Sequence, residues 1–149
     1  ERAHAHCEAW NSSPAMDRWV GSHQGYQRLS DPVLHRRTIA VDKESQRILI
    51  TDMVECNGSH TIERNWHFSE LCSVRVDGRQ AVAEQDGISM TMQVATSEDT
   101  DIELAKGWTA PISGWVSRGY DMKKPSDTVI VRDSIRGSTI LQTEIRCFR

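Results

Sequence analysis

Short stretches in which apolar and polar residues alternate follow one another along most of the chain. Between residues 47 and 55, Ile50 and Val54 fall on one face of an extended strand and Leu49 and Met53 on the other. A run that is apolar on both faces is typical of a strand in the interior of a sheet. We therefore expect this segment to be central.

The same alternation predicts further strands on both sides of that run, and no segment keeps the apolar spacing of an amphipathic helix. Helices are therefore not expected. The predicted strands are residues 2–10, 18–24, 35–42, 47–55, 59–68, 72–76, 80–84, 88–95, 102–105, 115–118, 128–132 and 138–148.

Three turn dipeptides separate strands in the first two thirds of the chain: Asn57-Gly58, Asp77-Gly78 and Asp86-Gly87. Tight hairpins need positive φ at their central residues, which Gly accepts freely and Asn or Asp tolerate. Each dipeptide therefore predicts a hairpin. Together the pattern indicates an all-β fold, an antiparallel two-layer β-sandwich built from meanders and hairpins, with residues 1–149 as one domain.

Charge and composition exclude several classes of partner. The chain has 149 residues, 18 of them basic and 21 acidic, and a formal net charge of −3 spread along its length. This balance gives no basic surface for nucleic acid or an anionic membrane. No apolar run approaches the roughly 20 residues of a membrane helix. The chain starts at Glu1 rather than Met, so we expect it to be cut from a longer polypeptide.

Cysteine and histidine spacing gives no metal motif, and no cofactor is expected. Cys7, Cys56, Cys72 and Cys147 form no Cys-x-x-Cys pair. They could form disulfides in any of three connectivities in an oxidising compartment, but free thiols acting as small hydrophobes are the commoner arrangement.

The histidines lead to the same expectation. His4 and His6 share a strand face near the start of the chain without the acidic residue that a metal site would need. An odd separation places His60 and His67 on opposite faces of one strand.

Aromatic and arginine side chains are the candidates for binding a ligand. Tyr26, Trp108 and Tyr120 could stack on sugar rings, together with Trp19 and Trp115. Arg36 or Arg37 could pair with the carboxylate of a uronate sugar. The chain contains no nucleophile elbow and no phosphate-binding glycine loop, so no catalytic residue is assigned.

A series of short ordered segments resembles the C-terminal region of heparinase II/III-like proteins. These segments are His23-Gln24-Gly25-Tyr26-Gln27-Arg28-Leu29, Asp31-Pro32-Val33-Leu34-His35-Arg36-Arg37, Ile48-Leu49-Ile50-Thr51-Asp52, His60, Trp66-His67-Phe68, Gly114-Trp115-Val116-Ser117-Arg118-Gly119-Tyr120 and Lys124-Pro125. Together they cover most of the chain.

The resemblance implies a bacterial, periplasmic or secreted lyase in which a helical toroid precedes a β-sandwich. Such enzymes cleave uronate-containing polysaccharides by β-elimination, using Tyr, His and Asn side chains. Those residues and a structural metal belong to the toroid and to the opening strands of the sandwich. The segment His4-Ala5-His6 continues with Cys7-Glu8 and does not match them.

We therefore expect a non-catalytic, supporting portion of such a lyase, with an acidic polysaccharide and the toroid as partners. The alternative is an autonomous carbohydrate-binding module. Exposed sheet edges also make a homodimer possible.

Overall fold

The computed structural model describes residues 3–95 and 99–148, and within them the chain forms strands, turns and loops without a helix. The strands are β1 (Ala5–Ser12), β2 (Met16–His23), β3 (Leu34–Asp42), β4 (Arg47–Glu55), β5 (Ser59–His67), β6 (Ser73–Asp77), β7 (Gln80–Gln85), β8 (Ile88–Val94), β9 (Thr100–Lys106), β10 (Trp108–Thr109), β11 (Ile112–Ser113), β12 (Trp115–Gly119), β13 (Met122–Pro125), β14 (Asp127–Arg136) and β15 (Thr139–Phe148). The described part holds no helix that could cross a membrane.

Eight strands form the larger sheet, in the order β1-β2-β3-β4-β15-β8-β7-β6. Every pairing in it is antiparallel. Strand β4 lies between β3 and β15, and its pairing with β15 runs from Arg47 opposite Arg146 to Val54 opposite Thr139. The prediction that residues 47–55 form an interior strand is confirmed.

Two of the three predicted hairpins are present. Asp86 and Gly87 both have positive φ, 51° and 78°, as a type I′ turn between β7 and β8 requires. Gly78 has a φ of 54° in the turn between β6 and β7. The three strands they join form the predicted meander.

The prediction of a hairpin at Asn57-Gly58 was wrong. Strand β4 belongs to the larger sheet, whereas β5 pairs with β14 in a second sheet. The dipeptide therefore carries the chain from one layer to the other. A carboxylate oxygen of Asp31, 27 residues before Gly58, accepts the amide of Gly58 at 2.7 Å and that of Asn57 at 3.3 Å. This contact holds the crossing in place.

The second sheet has three strands, in the order β5-β14-β9, and it packs on part of the larger sheet. Val129 and Val131 of β14 are completely buried against Ala81, Met92 and Val94 of the larger sheet. Burying a Val or Met side chain contributes about 1.5–3 kcal/mol, so this contact is a main source of stability. The all-β, antiparallel two-layer sandwich is confirmed.

The face of the larger sheet that meets the second sheet continues beyond it onto β1 and β2. Directly paired positions share a face, and the row Trp10, Trp19, Ile39 and Ile50 crosses four strands. Ile50 is 7% exposed, whereas Trp10 at the sheet edge is 63% exposed. Apolar burial therefore falls off toward the edge strand.

Two short hairpins, β10-β11 and β12-β13, lie outside both sheets. Of their four strands, the sequence pattern had predicted only β12: β10 and β11 have two residues each and carry no alternation, and β13, with the sequence Met-Lys-Lys-Pro, has no alternating apolar positions. All four cysteines are free; Cys56 is buried, Cys72 is half-buried, and Cys7 and Cys147 are exposed.

Candidate functional site

A cavity of about 240 Å³ opens between the two sheets, where β3 and β4 face β5. Its polar lining includes Tyr26, His35, Arg37, Asp52, Arg64 and Asn65. These side chains come from three strands and one loop, so the cavity exists only when the two layers are packed together.

Asp52 is the centre of this lining. It lies directly opposite Arg37 in the β3-β4 pairing, and His35 lies two residues along on the same face. The Oδ1 atom of Asp52 accepts hydrogen bonds from His35 Nε2 and Arg37 Nε, both at 2.6 Å, and Oδ2 accepts from the second arm of Arg37 at 2.9 Å. The carboxylate side chain is only 3% exposed.

Two opposing influences set the ionisation of Asp52. Burial disfavours its charged form, but the hydrogen bonds from His35 and Arg37 outweigh burial, and the pKa of Asp52 is lowered from 3.8. Asp52 is thus a carboxylate at neutral pH, paired with the guanidinium of Arg37.

Hydrogen bonding also assigns the tautomers of two neighbouring histidines. The backbone N–H of Gly25 points at His23 Nδ1 at 3.2 Å, so this nitrogen must accept. A neutral His23 then carries its proton on Nε2 and donates it to His35 Nδ1, 3.2 Å away. His35 in turn carries its proton on Nε2 and donates it to Asp52.

The result is a directed chain of hydrogen bonds from the loop after β2 to the buried carboxylate. Burial is the main cause that lowers the pKa of His23 from 6.5, and it favours the neutral ring that this assignment requires. The ring of Tyr26 meets the ring of His23 edge-on, with centroids 5.2 Å apart.

Arg64 adds a second guanidinium to the cavity, and it too is paired. Two of its nitrogens donate to Asp133 Oδ2, at 3.1 and 2.8 Å, and a third donates to the hydroxyl of Thr143 at 3.0 Å. Thr143 lies on β15 and Asp133 on β14, so Arg64 of β5 links the two sheets.

The structure brings together two of the five candidate residues from the sequence. Tyr26, which is 47% exposed, and Arg37 both line the cavity. Arg36 points to the opposite face of β3, where it pairs with Glu8 at 2.9 Å. Trp108 lies in β10 and is half-buried, and Tyr120 is fully exposed in the turn between β12 and β13.

Sequence reasoning had not assigned a site role to His23, His35 or Asp52. The alternation of strand residues offered a signal for this site. His35 and Arg37 are two residues apart and therefore lie on one face of their strand, and Asp52 lies on the same face of the next strand as the apolar residues Ile50 and Val54. What the sequence did not reveal is the register that sets Asp52 opposite Arg37.

A second cluster contains residue types that bind metals. Ligand atoms of Asp31, Cys56 and His60 all lie within 4.8 Å of one another beside the crossing between the sheets. The Asp31 carboxylate accepts a hydrogen bond from His60 Nε2 at 2.7 Å. The strand pattern had separated His60 from His67 only, and the imidazole of His67 contacts Thr128 instead.

The family model for the heparinase II/III-like C-terminal domain matches residues 2–144. The chain belongs to the heparinase II/III-like family. A search of curated protein sequences finds no match.

Solved structures of lyases with this fold superpose closely on the chain. Heparan sulfate lyase HepC from Pedobacter heparinus has a TM-score of 0.81 at 13% identity, covering 97% of this chain and 22% of its own. A structure described as heparinase III has a TM-score of 0.76 at 11% identity, covering 95% of this chain and 21% of its own. At these identities the likeness shows the fold alone. The chain thus spans about a fifth of the length of these heparinase II/III-like structures.

Proposed function

We propose that this heparinase II/III-like sandwich works as the C-terminal portion of a lyase that cleaves an acidic, uronate-containing polysaccharide, and that it supports the active site without performing catalysis alone. The observation that carries this proposal is the closed pairing of the cavity. Asp52 is bound by His35 and Arg37, and Arg64 is bound by Asp133 and Thr143.

β-Elimination needs a base to remove the proton beside the uronate carboxylate, a group to neutralise the enolate charge, and an acid for the departing oxygen. In this cavity the histidine nitrogens and the Asp52 oxygens are already bonded to each other and to backbone. A volume of about 240 Å³ is also below the roughly 300–1,000 Å³ of typical ligand pockets. Both features suit a buttress better than an independent catalytic centre.

Family membership supports a proposal for the substrate class and the setting. The solved relatives are described as a heparan sulfate lyase and a heparinase, so heparan sulfate and heparin are the first substrates to test, followed by alginate. We propose a helical toroid of the same longer protein as the partner of this sandwich, and a bacterial periplasmic or secreted location. Residues 1–149 would be one domain of that protein.

The test is an elimination assay of the isolated chain, after circular dichroism has shown that it is folded. Products of β-elimination carry an unsaturated uronate that absorbs in the ultraviolet. We expect no absorbance change with heparan sulfate, heparin or alginate. Turnover that disappears in a His35→Gln variant would contradict the supporting role and make the cavity itself the catalytic centre.

The alternative function, a carbohydrate-binding module, is favoured by the exposure of two candidate aromatics. Tyr120 is fully exposed and Tyr26 is half-exposed, as sugar stacking would require. Calorimetric titration with uronate oligosaccharides at low and moderate salt tests it, since salt weakens charge attraction more than stacking. Saturable, salt-resistant heat that Tyr120→Ala or Tyr26→Ala removes supports binding. A folded chain that gives no heat excludes it for those sugars.

A further inference from the structure

The crossing from the larger sheet to the smaller one assembles three metal-binding residue types from separate parts of the chain. Asp31 lies in the loop before β3, Cys56 directly follows β4, and His60 is the second residue of β5. Cys56 is 9% exposed, and the side chains of His60 and Asp31 are 18% and 28% exposed. The cluster is therefore shielded on the thiol side and reachable from solvent on the carboxylate side.

The ligand atoms of the cluster are within about an ångström of the spacing that a zinc site requires. Zinc bonds of about 2.3 Å to sulfur and about 2.0–2.2 Å to nitrogen and oxygen place tetrahedral ligand atoms roughly 3.3–3.7 Å apart. The three ligand atoms are all within 4.8 Å of one another. His60 Nε2 and the Asp31 oxygen, now 2.7 Å apart, would need to separate by roughly half an ångström.

We propose that Asp31, Cys56 and His60 bind one divalent transition-metal ion of the Zn²⁺ class, with a fourth position open to water or another small ligand. A thiolate and an imidazole favour Zn²⁺ over Mg²⁺ or Ca²⁺, which prefer oxygen ligands. The backbone amides of Asn57 and Gly58, which donate to the Asp31 carboxylate, would hold that ligand in orientation.

The imidazole, carboxylate and thiol of the cluster also have hydrogen-bond partners of their own. His60 hydrogen bonds to Asp31, and the Cys56 thiol lies 3.2 Å from the carbonyl oxygen of Gly137. An ion must therefore replace protons on Cys56 and His60. In return it would tie the loop before β3 to both sheets, beside the apolar cluster of Val33, Val54 and Cys56.

Titration of the folded, metal-free chain with Zn²⁺ and with Co²⁺ tests the site. We expect one ion per chain, and Co²⁺ should give the intense charge-transfer absorption of a cobalt–thiolate bond. Cys56→Ser should remove that absorption. Cys56→Ser and His60→Gln should each weaken Zn²⁺ binding by roughly 100-fold or more, since even the outer-shell partners of metal ligands are worth about 10–100-fold.

Matched controls separate this cluster from other thiols and imidazoles. Cys72→Ser and His67→Gln alter the same residue types outside the cluster, and both should bind as the parent chain does. His6→Gln tests the exposed His4-Ala5-His6 segment. The proposal is overturned if the folded chain binds no ion, if His60→Gln leaves the affinity unchanged, or if His6→Gln abolishes binding. His60→Gln decides the matter alone if Cys56→Ser fails to fold.

Discussion

Arg64 and Asp133 form an ion pair whose side chains are 4% and 1% exposed, with Arg64 donating from two nitrogens to one oxygen of Asp133. The partners belong to adjacent strands of the smaller sheet, where Asp133 lies opposite Ile62. Arg64 also donates a hydrogen bond to Thr143 on the larger sheet. Arg64 and Asp52 both line the cavity between the two sheets.

Breaking this pair on one side should be costly. Asp133→Ala leaves a guanidinium buried without its counter-ion, and we expect the free energy of unfolding to fall by about 3–5 kcal/mol in urea titrations. The control is Glu84→Ala, which breaks the exposed pair of Arg75 and Glu84 and should cost no more than about 1 kcal/mol. Equal losses in the two variants would show that Arg64 is not held as a buried charge.

Stability should depend on pH through His23. Burial and the nearby His35 lower its pKa from 6.5, so below that pH the unfolded chain takes up a proton that the folded chain does not. The contribution of His23 to the free energy of unfolding is fully present above pH 6.5, and it is lost as the pH falls through the lowered pKa of the folded state. Unfolding measured from pH 7.5 to pH 5 should show a smaller loss in His23→Gln than in the parent chain. Parallel curves would contradict the neutral histidine chain.

Gly21 is required for the contact between β1 and β2. A Cβ atom there would lie 2.3 Å from the Trp19 ring and 2.9 Å from the backbone oxygen of His6. The ring can move, but the paired backbone cannot, so Gly21→Ala should destabilise by about 1–3 kcal/mol. At Gly119 the added atom meets only the Met122 sulfur, at 3.6 Å, and Gly119→Ala serves as the control. Thermal unfolding of both variants checks this expectation.

Self-association of the chain is expected at the edge strand β1. Trp10 is 63% exposed there and continues an apolar row that is buried farther inside the sheet. Trp10→Ser should shift a dimer toward monomer in sedimentation experiments across a concentration series. Tyr120→Ser removes an aromatic residue that is even more exposed but lies in a hairpin turn, and it should leave association unchanged. A chain that is monomeric at every concentration would rule out this dimer.

The sequence predicted what depends on near neighbours. Asp86-Gly87 specified a hairpin because both residues adopt the positive φ that the turn needs, and residues 47–55 revealed an interior strand because both faces are apolar. The prediction of a hairpin at Asn57-Gly58 was wrong because a turn dipeptide indicates only that the backbone turns. It carries no information on which strands pair. The chain crosses between the sheets there because the Asp31 carboxylate accepts the Gly58 amide and because β5 pairs with the distant strand β14.

The candidate site was predictable in the same limited sense. Tyr26 and Arg37 were identified by residue type, and they do meet in one cavity. The alternation of a strand also places Arg36 and Arg37 on opposite faces. Only the register between β3 and β4 shows that Arg37 is the arginine that pairs with Asp52, whereas Arg36 pairs with Glu8. The grouping of Asp31, Cys56 and His60 depends on contacts across the layer crossing, which no spacing along the sequence encodes.

The central pairings of both sheets join distant parts of the chain. Strand β4 pairs with β15, and the paired residues Arg47 and Arg146 are almost a hundred residues apart in the sequence. Strand β5 likewise pairs with β14, which is synthesised much later. During synthesis, the meander β1-β2-β3-β4 can form early, but neither layer closes until β14 and β15 have left the ribosome. Two-state proteins dominated by such non-local contacts fold in about milliseconds to seconds. Until those strands are made, the row from Trp10 to Ile50 lacks its covering layer at the Ile50 end, and the nascent chain exposes these apolar side chains to chaperones and to other copies of itself.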